Sequence, residues 1–155
     1  MTTIHHPIAK DGKRFVFNVR LDWLTDQKGI ITANDAPGPI YVATPPALGG
    51  TEEEWSPEHL FLGSIASCFM STYLFFVRRM KFEITHLECH AIGQVELVEG
   101  KYKFTRITVF PTVHVADASL MELADLAILK TQKSCLVSNS ISAEIVYSGK
   151  VLKSE

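Results

Sequence analysis

The fold is decided by one long apolar stretch, residues 56–80, which reads SPEHLFLGSIASCFMSTYLFFVRRM. Ser56 is a good N-cap, Pro57 suits the first helical position, and Glu58 complements the positive end of a helix dipole. No Asp, Glu, Lys or Arg follows Glu58 until Arg78, so apolar side chains surround the helix on all sides. A helix of this kind lies in a protein core, in an oligomer interface or in a membrane.

The choice among these three environments depends on what flanks the helix. Its length is close to that of a membrane span, but strand-like segments lie on both sides and small polar residues interrupt the apolar run. We therefore expect a core helix. A chain of 155 residues would struggle to cover such a helix completely, so we also expect a homodimer in which the helix meets the second copy.

Working outward from the helix, the pattern predicts a mixture of strands and helices. Strands are predicted at residues 14–23, 30–32, 40–43, 86–98, 101–113 and 141–147, a loop at 44–54, and an amphipathic helix at 117–130. Glu99-Gly100 forms the tight turn of a hairpin. This order predicts an α+β class and a single domain over residues 14–155. Residues 1–13 are polar, which predicts a mobile tail rather than a signal peptide and therefore a cytoplasmic protein.

Charge and cysteine content narrow the classes of function. The formal net charge is −2, which gives no basic patch for nucleic acid. Three cysteines in a cytosolic chain are core residues, metal ligands or catalytic thiols. Cys68 lies mid-helix among small neighbours, and a short helix starting at Cys135 would favour a thiolate there. Spacing alone cannot bring these two together, because 67 positions separate them.

The segment around the third cysteine offers weaker candidates. Cys89 falls on the apolar face of its predicted strand, so we expect it in the core. His86, Glu88 and His90 share the opposite face and could hold a metal ion, but the sequence presents no fourth ligand. A solvated sheet face is the simpler interpretation, and we expect neither a metal site nor a cofactor.

Two motifs in this order carry a family resemblance. Residues 56–68, SPEHLFLGSIASC, resemble the first cysteine helix of the OsmC and Ohr family, the osmotically inducible and organic hydroperoxide resistance proteins. Residues 135–140, CLVSNS, resemble the second motif of that family, usually a Cys-Pro-x-Ser-Asn-like sequence. The order of elements fits from about Phe15 to the end of the chain. The resemblance implies an OsmC-like fold, with antiparallel sheets around a buried central helix in an intertwined homodimer.

The resemblance also implies a reaction and its residues. Cys68 would be the thiolate that attacks an organic hydroperoxide, and Cys135 would resolve the resulting sulfenic acid to a disulfide. A dithiol, of the lipoyl type in the Ohr branch, would then reduce that disulfide. Glu58 matches the glutamate that pairs with an arginine in the family. Because ten helical residues separate Glu58 from Cys68, a rise of ~15 Å, Glu58 would serve Cys68 of the partner subunit.

The sequence departs from the family pattern at the arginine. The turn that carries it in the peroxidase branch reads LTDQKG at residues 24–29, where Lys28 is the nearest cation. A lysine lacks the fork geometry that holds a carboxylate and a thiolate together. Leu136 also replaces the common proline. Two alternatives therefore stay open, a redox-sensing or ligand-binding protein with weak or no peroxidase activity, and an interaction protein with inert cysteines.

Overall fold

The computed structural model of the chain describes residues 14–155, so the tail predicted at residues 1–13 lies outside the described residues. The chain divides into two compact units, of which the first ends at Pro57 and the second spans Glu58–Glu155. The predicted domain of residues 14–155 thus contains two units, each with a sheet of its own.

The first unit is built on a small antiparallel sheet. Strands β1 (Arg20–Thr25), β2 (Lys28–Thr32) and β3 (Ile40–Ala43) lie in sequence order. The prediction that the first strand begins at residue 14 is wrong, since pairing with β2 starts at Arg20, opposite Thr32 at the end of β2. Residues 14–19 extend beyond that register and leave four large apolar side chains exposed, those of Phe15, Val16, Phe17 and Val19.

The loop predicted after β3 is confirmed and contains one 3-10 turn, Pro46–Leu48. The Gly50 backbone packs so closely against Thr44 that an added Cβ would lie 1.6 Å from the Thr44 carbonyl oxygen. Only glycine fits this position without moving the backbone. The loop ends at Trp55, which pairs with Val42 in an isolated parallel bridge.

The second unit contains the long helix and a larger sheet. Its elements are α1 (Pro57–Met80), β4 (His86–Val98), β5 (Lys101–Val115), α2 (Met121–Ser134), α3 (Leu136–Asn139), β6 (Glu144–Tyr147) and β7 (Lys150–Lys153), with a 3-10 turn, Ala118–Leu120, before α2.

The bounds predicted for the long helix and for the first hairpin strand are confirmed. The amphipathic helix starts later than predicted because Asp117 caps the 3-10 turn, where its carboxylate accepts from the Ser119 N–H. The strand β7 was not predicted.

The larger sheet is not purely antiparallel, which corrects the expectation from the resemblance. β4 and β5 form the predicted antiparallel hairpin, but β6 and β7 both pair with β5 in parallel. The parallel pairing follows from the helical connection between β5 and β6. α2 carries the chain back along the sheet, so the strand after it runs in the same direction as β5. β6 and β7 both pair with the same edge of β5. Ser148, which lies between them, continues this pairing by donating its N–H to the Val109 carbonyl.

The core of the second unit lies on one face of α1. Ile65, Phe69, Tyr73 and Val77, spaced four residues apart, are buried, and the Tyr73 hydroxyl donates to the Ala124 carbonyl of α2. The side chains they meet come from β5 and α2, chiefly Ile107, Val109, Val113, Val115, Ala124 and Ala127.

The other face of α1 stays accessible in a single chain. Met70 is 44% exposed and Phe75 is 51% exposed. Complete burial of the helix therefore stays a prediction that depends on a second copy. By length and composition α1 would also pass as a membrane span, a criterion that core helices of water-soluble proteins meet as well.

Candidate functional site: a contacting pair of thiols

The structure brings Cys68 and Cys135 together. Cys68 lies halfway along α1 and is partly buried, whereas Cys135 is fully buried between α2 and α3. The two side chains are in hydrogen-bonding contact, and neither is in a disulfide. Cys135 is held there because it has extended backbone angles that end α2, while its N–H still bonds the Thr131 carbonyl at 2.9 Å.

Several donors converge on the Cys68 sulfur. The backbone N–H of Val137, in the first turn of α3, donates to Cys68 Sγ at 3.5 Å. Thr72, one turn further along α1, places its Oγ1 4.0 Å from the same sulfur. Backbone N–H groups that point at a sulfur favour its ionised form, because hydrogen-bond donors stabilise the negative charge of a thiolate.

These donors decide the ionisation of Cys68. Burial by itself would raise the pKa of this thiol, because a charged sulfur loses solvation. The hydrogen bonds from Cys135, Val137 and Thr72 outweigh that effect and hold the pKa of Cys68 below its ordinary value of 9.0. The site therefore favours a thiolate at Cys68.

The expectation that a short helix would favour a thiolate at Cys135 is wrong, because the Val137 N–H of that helix donates to Cys68 and the pKa of Cys135 is raised. Burial raises its pKa, and its hydrogen bond to Cys68 raises it further because the proton is needed for that bond. A weaker opposing effect comes from Ser138, whose Oγ donates to Cys135 Sγ at 3.4 Å. The two cysteines thus have opposite preferences, since the site favours the ionised form of Cys68 and the protonated form of Cys135.

The third cysteine lies beside this pair but differs from both. Cys89, on β4, packs among the apolar side chains of the second unit, where the sequence predicted it. Burial, with a smaller contribution from charge on Cys135, raises the pKa of Cys89 to about 11. Cys89 therefore stays protonated at neutral pH and is a poor nucleophile.

Glu58 and Lys28 occupy separate units. Glu58, in the first turn of α1, has one buried carboxylate oxygen, Oε2, with no hydrogen-bond partner within residues 14–155. Lys28, in the first unit, forms an ion pair with Glu53. That hydrogen bond raises the pKa of the Lys28 ammonium. The support of either residue for Cys68 stays a prediction.

No arrangement of three or more His, Cys, Asp or Glu side chains suited to a metal ion occurs in the part of the chain that the structure describes. The histidines of the β4–β5 face have aromatic neighbours instead. The His86 ring lies edge-on to His114 with centroids 5.6 Å apart, and His90 lies beside Phe110 at 6.1 Å.

The structure adds three site residues that the sequence did not single out: Thr72, Ser138 and Tyr147. Thr72 follows Cys68 by four positions on a helix, which is a usable signal. Ser138 lies within the second motif, but the sequence does not indicate that its hydroxyl points toward the Cys135 sulfur. Tyr147, whose hydroxyl donates to Ser138 Oγ at 2.8 Å, is reached only through the path of β6 and carries no local signal.

The unlike pKa values predict selective alkylation of the reduced protein at pH 7. Cys68 should react with iodoacetamide at least roughly 100-fold faster than Cys89, because a thiol of pKa about 11 is almost wholly protonated at that pH. Mass spectrometry of peptides taken over time would measure each rate. Equal rates at the two cysteines would contradict the assignment of the thiolate.

Fold and site together define a small α+β protein in which a mid-helix thiol of lowered pKa contacts a second thiol of raised pKa. Residues 50–148 match the family described as OsmC-like protein, and the chain belongs to this family. Among curated proteins, the Bacillus subtilis (strain 168) uncharacterized protein YmaD is 23% identical over 132 residues, which cover 83% of this chain and 88% of YmaD.

Solved structures agree on the fold. An OsmC-like protein of unknown function from Vibrio cholerae superposes with a TM-score of 0.77 at 16% identity, covering 88% of this chain and 99% of its own. An organic hydroperoxide resistance protein OsmC from Legionella pneumophila gives a TM-score of 0.70 at 18% identity, covering 88% and 96%. At these identities the likeness establishes the architecture alone.

Proposed function

We propose that this protein is a thiol-dependent peroxidase that reduces organic hydroperoxides to alcohols in the cytoplasm. The observation that carries the proposal is the contact between Cys68 and Cys135 with opposite ionisation preferences. A peroxidase of this kind needs a nucleophilic thiolate and a second thiol within disulfide reach. Membership in a family that includes organic hydroperoxide resistance proteins supports the choice of substrate.

The reaction runs in two balanced steps. The Cys68 thiolate attacks the distal oxygen of the hydroperoxide, an S–O bond forms, the O–O bond breaks, and the alkoxide leaves as alcohol after taking up a proton. The product is a Cys68 sulfenic acid. Cys135 then attacks that sulfur, the S–S bond forms, and the hydroxyl leaves as water with the Cys135 proton. An external dithiol, of the lipoyl type in our proposal, reduces the disulfide and is itself oxidised.

The side chains near Cys68 favour an organic peroxide over a small polar one. Val137, which donates its N–H to Cys68, belongs to the same apolar cluster as Ile65, Phe61 and Leu62 of α1. A substrate reaching the sulfur would bring an alkyl tail toward this cluster and bury apolar surface. The cavity of about 200 Å³ in the first unit is lined by residues between Leu21 and Pro57 and includes neither thiol.

We further propose that the active form is a homodimer. The accessible face of α1, with Met70 and Phe75 exposed, is apolar enough to be covered by a second copy. Glu58 lies ten residues from Cys68, ~15 Å along the helix, so its carboxylate would serve Cys68 of the partner subunit rather than Cys68 of its own chain. A monomeric mass in solution would contradict this arrangement.

A second candidate is a redox-sensing or ligand-binding protein of the same family. The cations of the first unit favour it, because Lys28 is paired with Glu53 and Arg20 is paired with Asp22. Neither ammonium nor guanidinium is then free to support a thiolate without losing its carboxylate. This candidate keeps the thiol pair but oxidises slowly and without preference for an alkyl peroxide.

One titration separates the candidates. The fully reduced protein is mixed with one equivalent of an alkyl hydroperoxide, and free thiols are counted with time. We expect rapid loss of two of the three thiols, formation of a Cys68–Cys135 disulfide in the peptide map, and release of one equivalent of alcohol. Hydrogen peroxide at the same concentration serves as the comparison and should react more slowly.

Other outcomes of this titration would contradict the peroxidase and favour one of the alternatives. Slow oxidation spread over all three cysteines would contradict the peroxidase and favour the sensing or binding protein. No reaction in excess peroxide would contradict both, and would leave an interaction protein with inert cysteines.

A further inference from the structure

A chain of hydrogen bonds leads from β6 to the thiol pair. The Tyr147 hydroxyl donates to Ser138 Oγ at 2.8 Å, and Ser138 Oγ donates to Cys135 Sγ at 3.4 Å. Cys135 is in turn in hydrogen-bonding contact with Cys68. Three elements, β6, α3 and α1, thus contribute to one line of hydrogen bonds that ends at the Cys68 sulfur.

We propose that Ser138, oriented by Tyr147, is the positioning residue for the resolving thiol and stabilises Cys135 as it becomes a nucleophile. The inference rests on the proposed function, since it concerns the second step of that reaction. It assigns a role to two residues that touch neither the peroxide nor the Cys68 sulfur.

The chemistry of the second step creates the need for such a donor. When Cys68 is ionised, its thiolate accepts a hydrogen bond from the Cys135 thiol. Once Cys68 is a sulfenic acid that negative charge is gone. Cys135 then attacks the Cys68 sulfur as its proton leaves with the departing hydroxyl, so negative charge develops on Cys135. The Ser138 O–H is already directed at that atom, and a hydroxyl donor stabilises a thiolate.

Tyr147 determines which way the Ser138 hydroxyl points. By donating to Ser138 Oγ, Tyr147 leaves the serine hydrogen for Cys135, and hydrogen bonds linked in this way strengthen one another. Burial, the main effect on Tyr147, raises its pKa, so this residue keeps its proton and remains a donor over the working pH range. Both hydrogen bonds are partly buried.

Other titratable groups around Cys135 are thiols. Cys68 faces it from α1, and Cys89 on β4 is near enough to respond to its charge. Along its own helix the nearest charged residue is Lys133, which is exposed at the end of α2. Ser138 differs from these groups because it directs an uncharged O–H donor at the Cys135 sulfur.

The test measures Cys135 directly and needs no peroxide. In protein labelled with ¹³Cβ-cysteine, NMR titration gives the pKa of each thiol, assigned with single Cys→Ser variants. We expect Ser138→Ala to raise the pKa of Cys135 by about one unit. Ser138→Thr, which keeps the hydroxyl, should restore the parent value. Ser140→Ala is the matched control, because the Ser140 hydroxyl donates to the Leu136 carbonyl in the same short helix.

The same variants are then followed through a single turnover. The pH profile of disulfide formation from the trapped sulfenic acid should move to higher pH in Ser138→Ala, about tenfold slower at neutral pH, while sulfenic acid forms at the parent rate. Tyr147→Phe should act in the same direction with a smaller effect, against Tyr102→Phe at an exposed site as control.

The possible failures are distinguishable. If the parent protein forms the disulfide normally but Ser138→Ala leaves both the Cys135 pKa and the pH profile unchanged, the role of Ser138 is overturned and the peroxidase stands. If the parent forms no Cys68–Cys135 disulfide with peroxide, the proposed function is overturned and the role in the second step goes with it.

Discussion

The Cys68→Ser variant is expected to lose essentially all reduction of organic hydroperoxides, by a factor on the order of 10³ or more. A serine hydroxyl does not ionise near neutral pH, so the donors that stabilise the Cys68 thiolate, among them the Val137 N–H, would have no anion to hold. Stopped-flow measurement of peroxide loss with an added dithiol would give the rate. The variant should remain folded, because serine fills nearly the same volume at this partly buried position.

Two further variants make this result interpretable. Cys89→Ser removes another partly buried thiol whose raised pKa excludes it from the reaction, so it should keep the parent rate. Cys135→Ser should complete one turnover and then stop, with a Cys68 sulfenic acid that dimedone traps. Peroxide consumption at the parent rate by Cys68→Ser would remove the nucleophile assignment entirely.

The second large effect concerns stability rather than chemistry. Phe69→Ala should lower the free energy of unfolding by about 3–5 kcal/mol. Phe69 is 0% exposed, and its ring lies 5.8 Å from that of Tyr73 and 6.1 Å from that of Tyr147. Truncation leaves a cavity between α1 and the sheet that these neighbours can fill only in part. Urea unfolding of the reduced protein, followed by circular dichroism, would measure the loss.

Tyr102→Ala is a suitable comparison for this prediction. Tyr102 is 71% exposed near the tip of the β4–β5 hairpin, so its replacement removes an aromatic ring without creating a cavity. We expect a change within about 0.5 kcal/mol. A loss below about 1 kcal/mol for Phe69→Ala would be inconsistent with a core position for this ring.

Local signals in the sequence were sufficient for the long helix and the hairpin. The cap and first turn at residues 56–58 and the uninterrupted apolar run specify α1 from within its own length. The Glu99-Gly100 turn specifies the pairing of β4 with β5 in the same way, because the register of a hairpin follows from its turn.

The predicted first strand begins at residue 14, six residues before the observed strand. The prediction is wrong because it rests on local alternation alone. Alternation of Phe15, Phe17 and Val19 with polar residues predicts a strand, but a strand also needs a partner of sufficient length. β2 ends at Thr32, opposite Arg20, so these three side chains have no neighbour in the sheet. Alternation reports a preference of the chain, whereas pairing depends on a distant segment.

The sequence by itself determined the α+β class, the bounds of α1 and the resemblance that suggested a relation between Cys68 and Cys135. Tertiary structure alone decided the contact between those two sulfurs, the parallel course of β6 and β7, and the line from Tyr147 through Ser138 to Cys135. The physical reason is the distance along the sequence over which each interaction acts. Caps, turns and apolar runs act between neighbours in sequence, whereas a bond across 67 positions exists only after α2 has packed on the sheet that also supports α1.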